Sequence, residues 1–192
     1  MTSTAPSRAG TARQRIIDAA VSLFFEHGAG GTSLQMIADR AEMTKAAVYY
    51  HFPAKEDIVL AVITPALEGV SQVSEAAVGT RSRSAALDIL ITGIIDHVID
   101  NRRLAAVLWA DPAIDQVLNS HPLLQDIGTR VHQQLAGPNP DIATLVRVSM
   151  FGASLRAAAD PFLADLDVDV LREQMVDIAR RLLGVRAPRS ST

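Results

Sequence analysis

The chain has 192 residues and a formal net charge of −3, and 48% of its residues are hydrophobic while 20% are charged. These values fit one or two compact domains with a buried core and exclude an intrinsically disordered chain. Cysteine is absent, which excludes a disulfide framework, a thiolate metal site and a cysteine nucleophile. We expect a soluble, cytoplasmic protein with no membrane partner. Residues 1–14 lack the apolar core of a signal peptide, and the longest apolar run, 87–99, is too short and too charged to span a bilayer.

Apolar residues recur with helical spacing from end to end, and no segment has the alternating period of a β-strand. The pattern predicts an all-α fold of about nine helices. The small and polar residues 1–10 are expected to form a flexible arm, and residues 185–192 a flexible tail. Between them, the first helix is expected to begin at the capping box formed by Thr11 and Gln14 and to end at Gly28.

Residues 33–52 have the pattern of a helix-turn-helix. Thr32 and Gln35 have capping-box spacing at the start of a short helix, and Thr44 is a good N-cap for a second one. The turn between them carries Glu42 where most such motifs have glycine, so its backbone must accommodate a side chain. A motif of this form places its second helix in the major groove of DNA.

The exposed side of the second helix carries groups that suit a DNA surface. Thr44 and Lys45 offer a hydroxyl and a positive charge to phosphate, and Tyr50 offers a flat ring and a hydrogen-bond donor. Gln35 from the first helix is placed to reach the DNA, and Lys55 to reach a flanking phosphate. The pattern alone leaves an ordinary helical hairpin as an equal alternative.

The stretch 13–63 resembles the N-terminal domain of the TetR (tetracycline repressor) family. The matching pieces are I-I-D-A-A-x-x-L-F at 16–24, H-G at 27–28, T-S-L-x-x-I-A at 32–38, A-x-M-T-K-A-A-V-Y-Y-H-F at 41–52 and K-E at 55–56. The resemblance implies a helix-turn-helix DNA-binding domain at 11–56 and a ligand-binding and dimerisation domain at 57–184. It also implies a transcriptional repressor rather than an enzyme.

The resemblance assigns DNA contacts to particular side chains. Tyr49, His51 and Lys55 would contact backbone phosphates, and Tyr50 would face the groove. The helix-capping residues Ser33 and Thr44 would also touch phosphate. The complete set of expected DNA-binding residues is Ser33, Gln35, Thr44, Lys45, Tyr49, Tyr50, His51 and Lys55.

The two C-terminal helices carry apolar residues on more than one side. The helix at 141–159 is apolar on two sides, and the last helix, from about Asp167 to Gly184, has a seam like that of a coiled coil. We expect both to pair with their copies in a four-helix bundle, because a palindromic operator needs two readers related by a two-fold axis. The alternative is an intramolecular core. The expected interface residues are Ile142, Leu145, Val146, Ser149, Gly152, Ala153, Leu171, Met175, Ile178 and Leu182.

Large or polar side chains in the C-terminal helices are candidates for a ligand pocket. Aromatic residues make up only 4% of the chain, and five of the eight lie within 24–52, which favours a largely apolar effector over a flat cationic one. Each candidate has an alternative interpretation as an ordinary core or surface residue. The candidates are His97, Trp109, His132, Met150, Phe151, Arg156 and Phe162.

The sequence offers no catalytic constellation, metal site or cofactor motif. The expected partners are a palindromic double-stranded DNA operator, a small-molecule effector and a second copy of the chain. Effector binding is expected to move the fourth helix, with Pro65 as the place of the bend. Two other hypotheses stay open. One is a helical ligand carrier or enzyme whose N-terminal hairpin is only structural, and the other is a DNA-binding activator without an effector.

Overall fold

The computed structural model of the protein describes residues 8–111, 114 and 121–185. Over these residues the chain is helical and contains no strand, which confirms the predicted all-α fold. Residues 1–7 of the expected arm and 186–192 of the expected tail lie outside the described residues. The helices are α1 (Arg8–Gly31), α2 (Leu34–Arg40), α3 (Lys45–His51), α4 (Lys55–Ala77), α5 (Arg83–Asp100), α6 (Arg102–Ala110), α7 (Pro122–Ala136), α8 (Ile142–Ser154) and α9 (Val168–Leu183).

Helix α1 begins earlier than predicted and passes its expected end. It starts at Arg8 rather than Thr11, because the arginines and alanines of its first turns are good helix formers. At Gly28 the backbone leaves helical geometry, with φ of 71° and ψ of 163°, and one further helical turn follows up to Gly31. Glycine adopts a positive φ without steric cost. Gly28 therefore interrupts the helix at the predicted position, and a short helical turn follows it.

The chain forms two compact units. The first contains residues 1–65 and 107–120, and the second contains residues 66–106 and 121–192. The predicted border at residue 56 lies inside the first unit, because Ile58 and Ile63 on the first half of α4 are buried there.

The core of the first unit comes from α1, α2, α3 and the first half of α4. Its members follow the spacing of three or four residues that one side of a helix requires, and adjacent pairs such as Leu23 and Phe24 widen the buried stripe. Since α3 turns its apolar residues toward α2 and α1, its other side is left to solvent. The buried residues include Ile16, Ala20, Leu23, Phe24, Ile37, Ala38, Val48, Phe52, Ile58, Val62 and Ile63.

The core of the second unit is built around α5. Its central members are Leu90, Ile91, Ile95, Val148, Phe151, Leu171, Met175 and Val176. Helix α9 packs along α5, and ion pairs join the two. The Arg180 Nε lies 2.7 Å from the Asp88 carboxylate, and the Arg172 guanidinium lies 3.0 Å from Asp96 and 2.9 Å from Asp100.

Helices α4 and α5 approach each other closely at two glycines. A Cβ on Gly69 would lie 2.2 Å from the His97 Cε1, and a Cβ on Gly93 would lie 2.7 Å from the Val73 Cγ1. Each helix thus offers a glycine to a side chain of the other, with the same four-residue spacing on both. This reciprocal fit fixes an antiparallel register between α5 and the second half of α4, since a side chain has no room at either glycine.

Candidate nucleic-acid interface

The helix-turn-helix is formed by α2, α3 and a tight turn between them. The side chains of Ser33 and Thr44 are the N-caps, accepting hydrogen bonds from the backbone N–H of Met36 at 3.2 Å and of Ala47 at 3.1 Å. Glu42 in the turn has a left-handed φ of 53°, a conformation that most side chains avoid. Glu42 therefore adopts the left-handed conformation for which most such motifs use glycine.

Thr32 does not form the capping box expected for α2. Its hydroxyl donates to the Gly28 carbonyl at 2.7 Å, and the side chain is almost fully buried. The Gln35 amide instead donates to Asp39 at 2.8 Å, one turn along the exposed side of α2. Ser33, one residue later than Thr32, is the cap because its backbone is extended where the helix begins.

Helix α3 presents polar and aromatic side chains to solvent. The side chain of Tyr50 is 84% exposed and that of Tyr49 is 46% exposed, whereas Val48 on the opposite side is fully buried. The Lys45 ammonium lies 5.8 Å from the centre of the Tyr49 ring, and the partly buried His51 ring meets the Tyr50 ring edge to face at 5.3 Å. One cation, two phenols and an imidazole therefore share the accessible side of a single short helix.

The Lys55 side chain, which was expected to contact a DNA phosphate, makes hydrogen bonds within the first unit. Its ammonium donates to the Ala29 carbonyl at 2.7 Å and to the Thr32 carbonyl at 3.0 Å. Both carbonyls belong to the turn that links α1 to α2. Carbonyl groups at the end of a helical turn carry partial negative charge, which favours the Lys55 ammonium at this position.

Three arginines of the first unit are also engaged within it. The Arg13 guanidinium stacks 4.9 Å from the centre of the Phe52 ring, and Arg15 donates to the Ala41 carbonyl at the end of α2. Arg40 makes a bidentate pair with Glu26 at 2.7 and 2.8 Å.

The hydrogen bond from Arg40 is the main reason why the pKa of Glu26 falls from 4.5 to about 2, and the charge of Arg40 adds to the effect. The same pairing raises the pKa of Arg40. Both groups therefore stay ionised throughout the physiological range, and the pair joins α1 to α2 on the surface.

The structure places the seven candidate ligand residues in different environments. Phe151 is buried in the core of the second unit, whereas Phe162 is 96% exposed and Met150 is 54% exposed. His132 and Arg156 are also exposed. Periodicity shows that a position is apolar and does not show whether it faces a cavity, the core or solvent, so the ligand pocket stays a prediction.

Trp109 and His97 are the two remaining candidates. Trp109 is partly buried and belongs to the first unit, while His97 belongs to the second and packs against Gly69. The Nε2 of His97 is buried and has no hydrogen-bond partner among the described residues. His97 is thus the candidate whose polar atom still lacks a partner.

A cleft in the second unit was not predicted from the sequence. It has a volume of about 590 Å³ and lies where the end of α4, the start of α5 and the end of α7 meet. Ala77, Ala86 and Leu90 form apolar walls, and Arg83 and Arg130 are its basic lining residues.

Arg83 also caps the end of α7, donating to the carbonyls of Gln134 at 3.1 Å and Leu135 at 2.7 Å. A basic residue in the first turn of a helix opposes the helix dipole. The unfavourable position of Arg83 in the first turn of α5 could therefore have indicated from the sequence that its side chain has a partner elsewhere.

The residues expected at a dimer interface divide into an exposed and a buried set. On α8, the side chains of Ile142, Leu145 and Val146 are 81%, 39% and 51% exposed. On α9, by contrast, Leu171 and Met175 lie in the core of the same chain. The remaining expected residues are exposed at Ser149, Gly152, Ala153 and Ile178 and partly buried at Leu182.

The seam predicted on α9 is therefore wrong at Leu171 and Met175. The helix has two apolar sides, and the one that contains these residues faces α5. Its exposed apolar residues are Val170 and Ile178, which are 50% and 57% exposed. Together with Ile142, Leu145 and Val146 they make up what we call the α8–α9 apolar face.

Two helical stretches are long and apolar enough to cross a membrane by length and composition alone. They are Lys55–Ala77, which is α4, and Ile142–Ala159, which contains α8. The first half of α4 contributes to the core of the first unit, and α8 buries Val148 and Phe151 in the core of the second. Each helix thus has a packed side in the folded chain.

These features define an all-helical protein with an N-terminal helix-turn-helix and a separate helical unit. Residues 16–62 match the family model described as bacterial regulatory proteins, tetR family. The curated relatives are named as transcriptional regulators, which agrees with the prediction that the chain is not an enzyme. Over this N-terminal domain the chain is therefore similar to the tetR family of bacterial regulatory proteins.

Individual relatives match mainly in this domain. The chain is 29% identical over 109 residues to the probable HTH-type transcriptional regulator YttP of Bacillus subtilis, covering 55% of this chain and 53% of YttP. It is 45% identical over 51 residues to the regulator SrpR of Pseudomonas putida, covering 27% of this chain and 24% of SrpR. The match therefore spans about half or less of the length of these relatives.

Solved structures share the fold over most of the chain. NalD of Pseudomonas aeruginosa, described as the secondary repressor of the MexAB-OprM multidrug efflux pump, superposes with a TM-score of 0.68 and 21% identity. That alignment covers 89% of this chain and 94% of NalD. A TerR/AcrR-family regulator of Aquifex aeolicus gives a TM-score of 0.67 at 18% identity, covering 89% of this chain and 99% of the other. At this level of identity the likeness concerns the fold.

Proposed function

We propose that the protein is a sequence-specific DNA-binding transcriptional repressor, which binds a palindromic operator as a homodimer and is released by a small ligand. The observation that carries the proposal is α3. This helix is anchored by Val48 and Phe52 and turns Lys45, Tyr49 and Tyr50 to solvent. A second helix of a helix-turn-helix that is apolar inside and hydrogen-bonding outside is suited to enter a major groove.

We assign base contacts and phosphate contacts to individual side chains from their exposure and chemistry. Tyr50, which is 84% exposed, would read base edges, while Lys45 and the capping hydroxyl of Thr44 would bind phosphates. Gln35, Tyr49, His51 and Ser33 would complete the contact surface. Lys55 is left out of this set, because its ammonium is occupied by two backbone carbonyls.

The proposed homodimer is supported by the α8–α9 apolar face. Ile142 at 81% exposure and Val146 at 51% exposure are costly to leave in water, and small neighbours at Gly152 and Ala153 permit close helix packing. A second copy of the chain would cover this face in a four-helix bundle. The two recognition helices of the dimer would then bind half-sites whose centres lie one helical turn of DNA apart, roughly 34–36 Å.

The proposed effector is a small and largely apolar molecule that binds the second unit. The cleft of about 590 Å³ beside Leu90 has a volume within the usual range for a small ligand. The sign of regulation is proposed as repression because two relatives are named for it. NalD is described as a repressor, and IcaR of Staphylococcus aureus, 46% identical over 46 residues, is named a negative transcriptional regulator. Such a protein would work in the cytoplasm, where its operator lies.

The first experiment tests DNA reading. Duplexes that the purified protein retains from a random library would be measured by fluorescence anisotropy against a scrambled duplex. We expect Tyr50→Ala to weaken binding to the selected duplex about tenfold, as for the loss of one base contact of roughly 1–3 kcal/mol, without a similar loss on the scrambled one. Arg81→Ala is the control, because Arg81 is exposed in the second unit. Failure to enrich any sequence would contradict the proposal.

The second experiment tests the homodimer by light scattering. The wild-type chain should give about twice the monomer mass of 20.5 kDa. Val146→Asp should give the monomer mass, because it places a charge in the proposed interface. Leu123→Asp is the matched control, since Leu123 on α7 is 53% exposed outside the α8–α9 apolar face. A monomeric wild type would refute the homodimer, and wild-type binding to lipid vesicles through α8 would assign the face to a membrane instead.

A further inference from the structure

Charged side chains from two distant parts of the first unit hold the turn between α1 and α2. The backbone N–H of Gly30 donates to the Asp111 carboxylate at 2.6 Å, and the two residues are 81 positions apart in the sequence. On the other side, the Lys55 ammonium donates to the carbonyls of Ala29 and Thr32. The turn at 28–32 is therefore bound by a carboxylate at one backbone N–H and by an ammonium at two backbone carbonyls.

The glycines of this turn make room for the carboxylate. A Cβ on Gly28 would lie 3.1 Å from the Asp111 Oδ2, and a Cβ on Gly30 would lie 3.4 Å from its Oδ1. Gly28 also has the positive φ of 71° that a side chain would strain. The Asp111 carboxylate thus rests directly on glycine backbone.

The signs of the two charges match the polarity of the turn. A helical turn carries partial positive charge at its free N–H groups and partial negative charge at its free carbonyls. Asp111 binds the N–H and Lys55 the carbonyl of the peptide unit between Ala29 and Gly30, which are the groups that each charge prefers. The buried Thr32 hydroxyl adds a third tie, to the Gly28 carbonyl.

The turn leads directly into the helix-turn-helix. Thr32 is followed by Ser33, whose side chain caps α2, so the position of the turn sets where α2 begins. Helix α2 in turn packs on α3. A displacement at Gly30 is therefore passed to the side of α3 that carries Lys45 and Tyr50.

We infer that Asp111 is a positioning residue for DNA recognition, which holds the start of the helix-turn-helix in place through the Gly30 N–H. It acts on backbone and contacts no nucleic acid itself. The inference rests on the proposed DNA-binding function, and it adds to the site a residue that lies after α6, far outside the domain that the family model covers.

Electrostatics and positioning predict opposite effects of removing this carboxylate. A variant that lacks the negative charge of Asp111 is less acidic, and simple attraction to DNA phosphates would make it bind more tightly. If Asp111 positions the turn, binding to the selected duplex becomes weaker. The direction of the change therefore separates the two explanations.

The experiment compares Asp111→Ala and Asp111→Asn with wild type at fixed ionic strength. We expect Asp111→Ala to weaken binding to the selected duplex by about fivefold to tenfold, in line with the loss of a hydrogen bond to a charged acceptor. Asp111→Asn keeps an oxygen acceptor and should lose less. Binding of both to a scrambled duplex should be unchanged or tighter. The control is Asp18→Ala, which removes the same charge from an exposed carboxylate that accepts a hydrogen bond from Gln14 on its own helix.

A spectroscopic readout tests the contact independently of DNA. In amide NMR spectra, the Gly30 N–H of wild type should show a downfield shift and slow hydrogen exchange. Asp111→Ala should remove both and shift the amides of Ser33 and Leu34, while leaving those of α9 unchanged.

The outcomes are distinguishable. Equal or tighter binding of Asp111→Ala to the selected duplex, as with Asp18→Ala, would overturn the inference. Unchanged amides at Gly30 and Ser33 would overturn it as well. If wild type itself showed no preference for any duplex, the proposed function would fail, and the amide shifts alone would still decide whether Asp111 positions the turn.

Discussion

Lys55 is the residue for which the family resemblance and the structure disagree most sharply. The resemblance places its ammonium on a DNA phosphate, whereas the structure places it on the carbonyls of Ala29 and Thr32. Lys55→Met removes the ammonium and keeps the length of the side chain. The two interpretations predict different losses, one in DNA binding and the other in folding stability.

The expected magnitude follows from the two hydrogen bonds at 2.7 and 3.0 Å. A hydrogen bond to a charged group contributes about 1.5–3 kcal/mol, and two bonds from one partly exposed ammonium share its desolvation, so we expect a loss of about 2 kcal/mol in the free energy of unfolding. For a chain of this size each kcal/mol lowers Tm by about 2–4 °C, which gives a decrease of roughly 4–8 °C.

The assay pairs urea unfolding with DNA affinity measured over a range of salt concentrations. Each phosphate contact contributes about 0.9 to the slope of log K against log salt concentration. We expect Lys55→Met to lose stability and keep the wild-type slope. Lys45→Met should do the reverse, because Lys45 is exposed and its nearest described partner is the Tyr49 ring at 5.8 Å. A Lys55→Met protein of wild-type stability whose slope has fallen by about one would refute this reasoning and restore the phosphate contact.

Two other features of the structure give direct predictions. The lowered pKa of Glu26, about 2 against 4.5, means that its pair with Arg40 stabilises the fold fully above pH 4.5 and loses this contribution as pH falls toward 2. Glu26→Gln should therefore lower stability at neutral pH and flatten the acid side of the curve of unfolding free energy against pH, and an unchanged acid side would contradict the assignment. At the second feature, Gly69→Ala should destabilise the second unit by about 1–3 kcal/mol in urea unfolding, because a Cβ there would lie 2.2 Å from the His97 ring. Adding His97→Ala should restore part of the loss, and strictly additive effects of the two substitutions would show that the contact is not the cause.

The sequence predicted the helices of the first unit because their signals are local. The capping of α3 by Thr44 and the interruption of α1 at Gly28 each depend on a few neighbouring residues, and the structure agrees with both. Thr32 shows where local rules end. It has capping-box spacing with Gln35, yet its hydroxyl bonds to Gly28 because the glycine turn brings that carbonyl within reach.

The second unit was harder to predict because its helices have two apolar sides. Periodicity correctly identified both sides of α8, and it could not tell which side meets the core. Val148 and Phe151 are buried, while Ile142 and Val146 face solvent. On α9 the same ambiguity gave the wrong side, with Leu171 inside. The choice between sides depends on contacts with α5, which no local pattern encodes.

Contacts between distant residues were beyond the sequence altogether. The Asp111 carboxylate meets Gly30 because the chain returns to the first unit at residue 107, and Arg83 meets the end of α7 through a similar long-range contact. In both cases a charged side chain satisfies backbone groups at the end of a helical turn. Such groups must find partners wherever the fold buries them, so the partner is specified by topology rather than by spacing.

The use of cations inside the first unit bears on how the protein would recognise DNA. Among the basic residues at 11–60, Arg13 stacks on a ring, Arg15 and Lys55 bind backbone carbonyls, and Arg40 pairs with an acid. Lys45 is left as the cation that α3 presents. With one described cation on its exposed side, α3 would by itself contribute little to the salt dependence of DNA binding. Useful affinity would then require two protomers on one operator, with specificity supplied by hydrogen bonds and ring contacts rather than by charge. On this argument the α8–α9 apolar face and the positioning of α3 matter as much to the proposed function as the groups that touch the DNA.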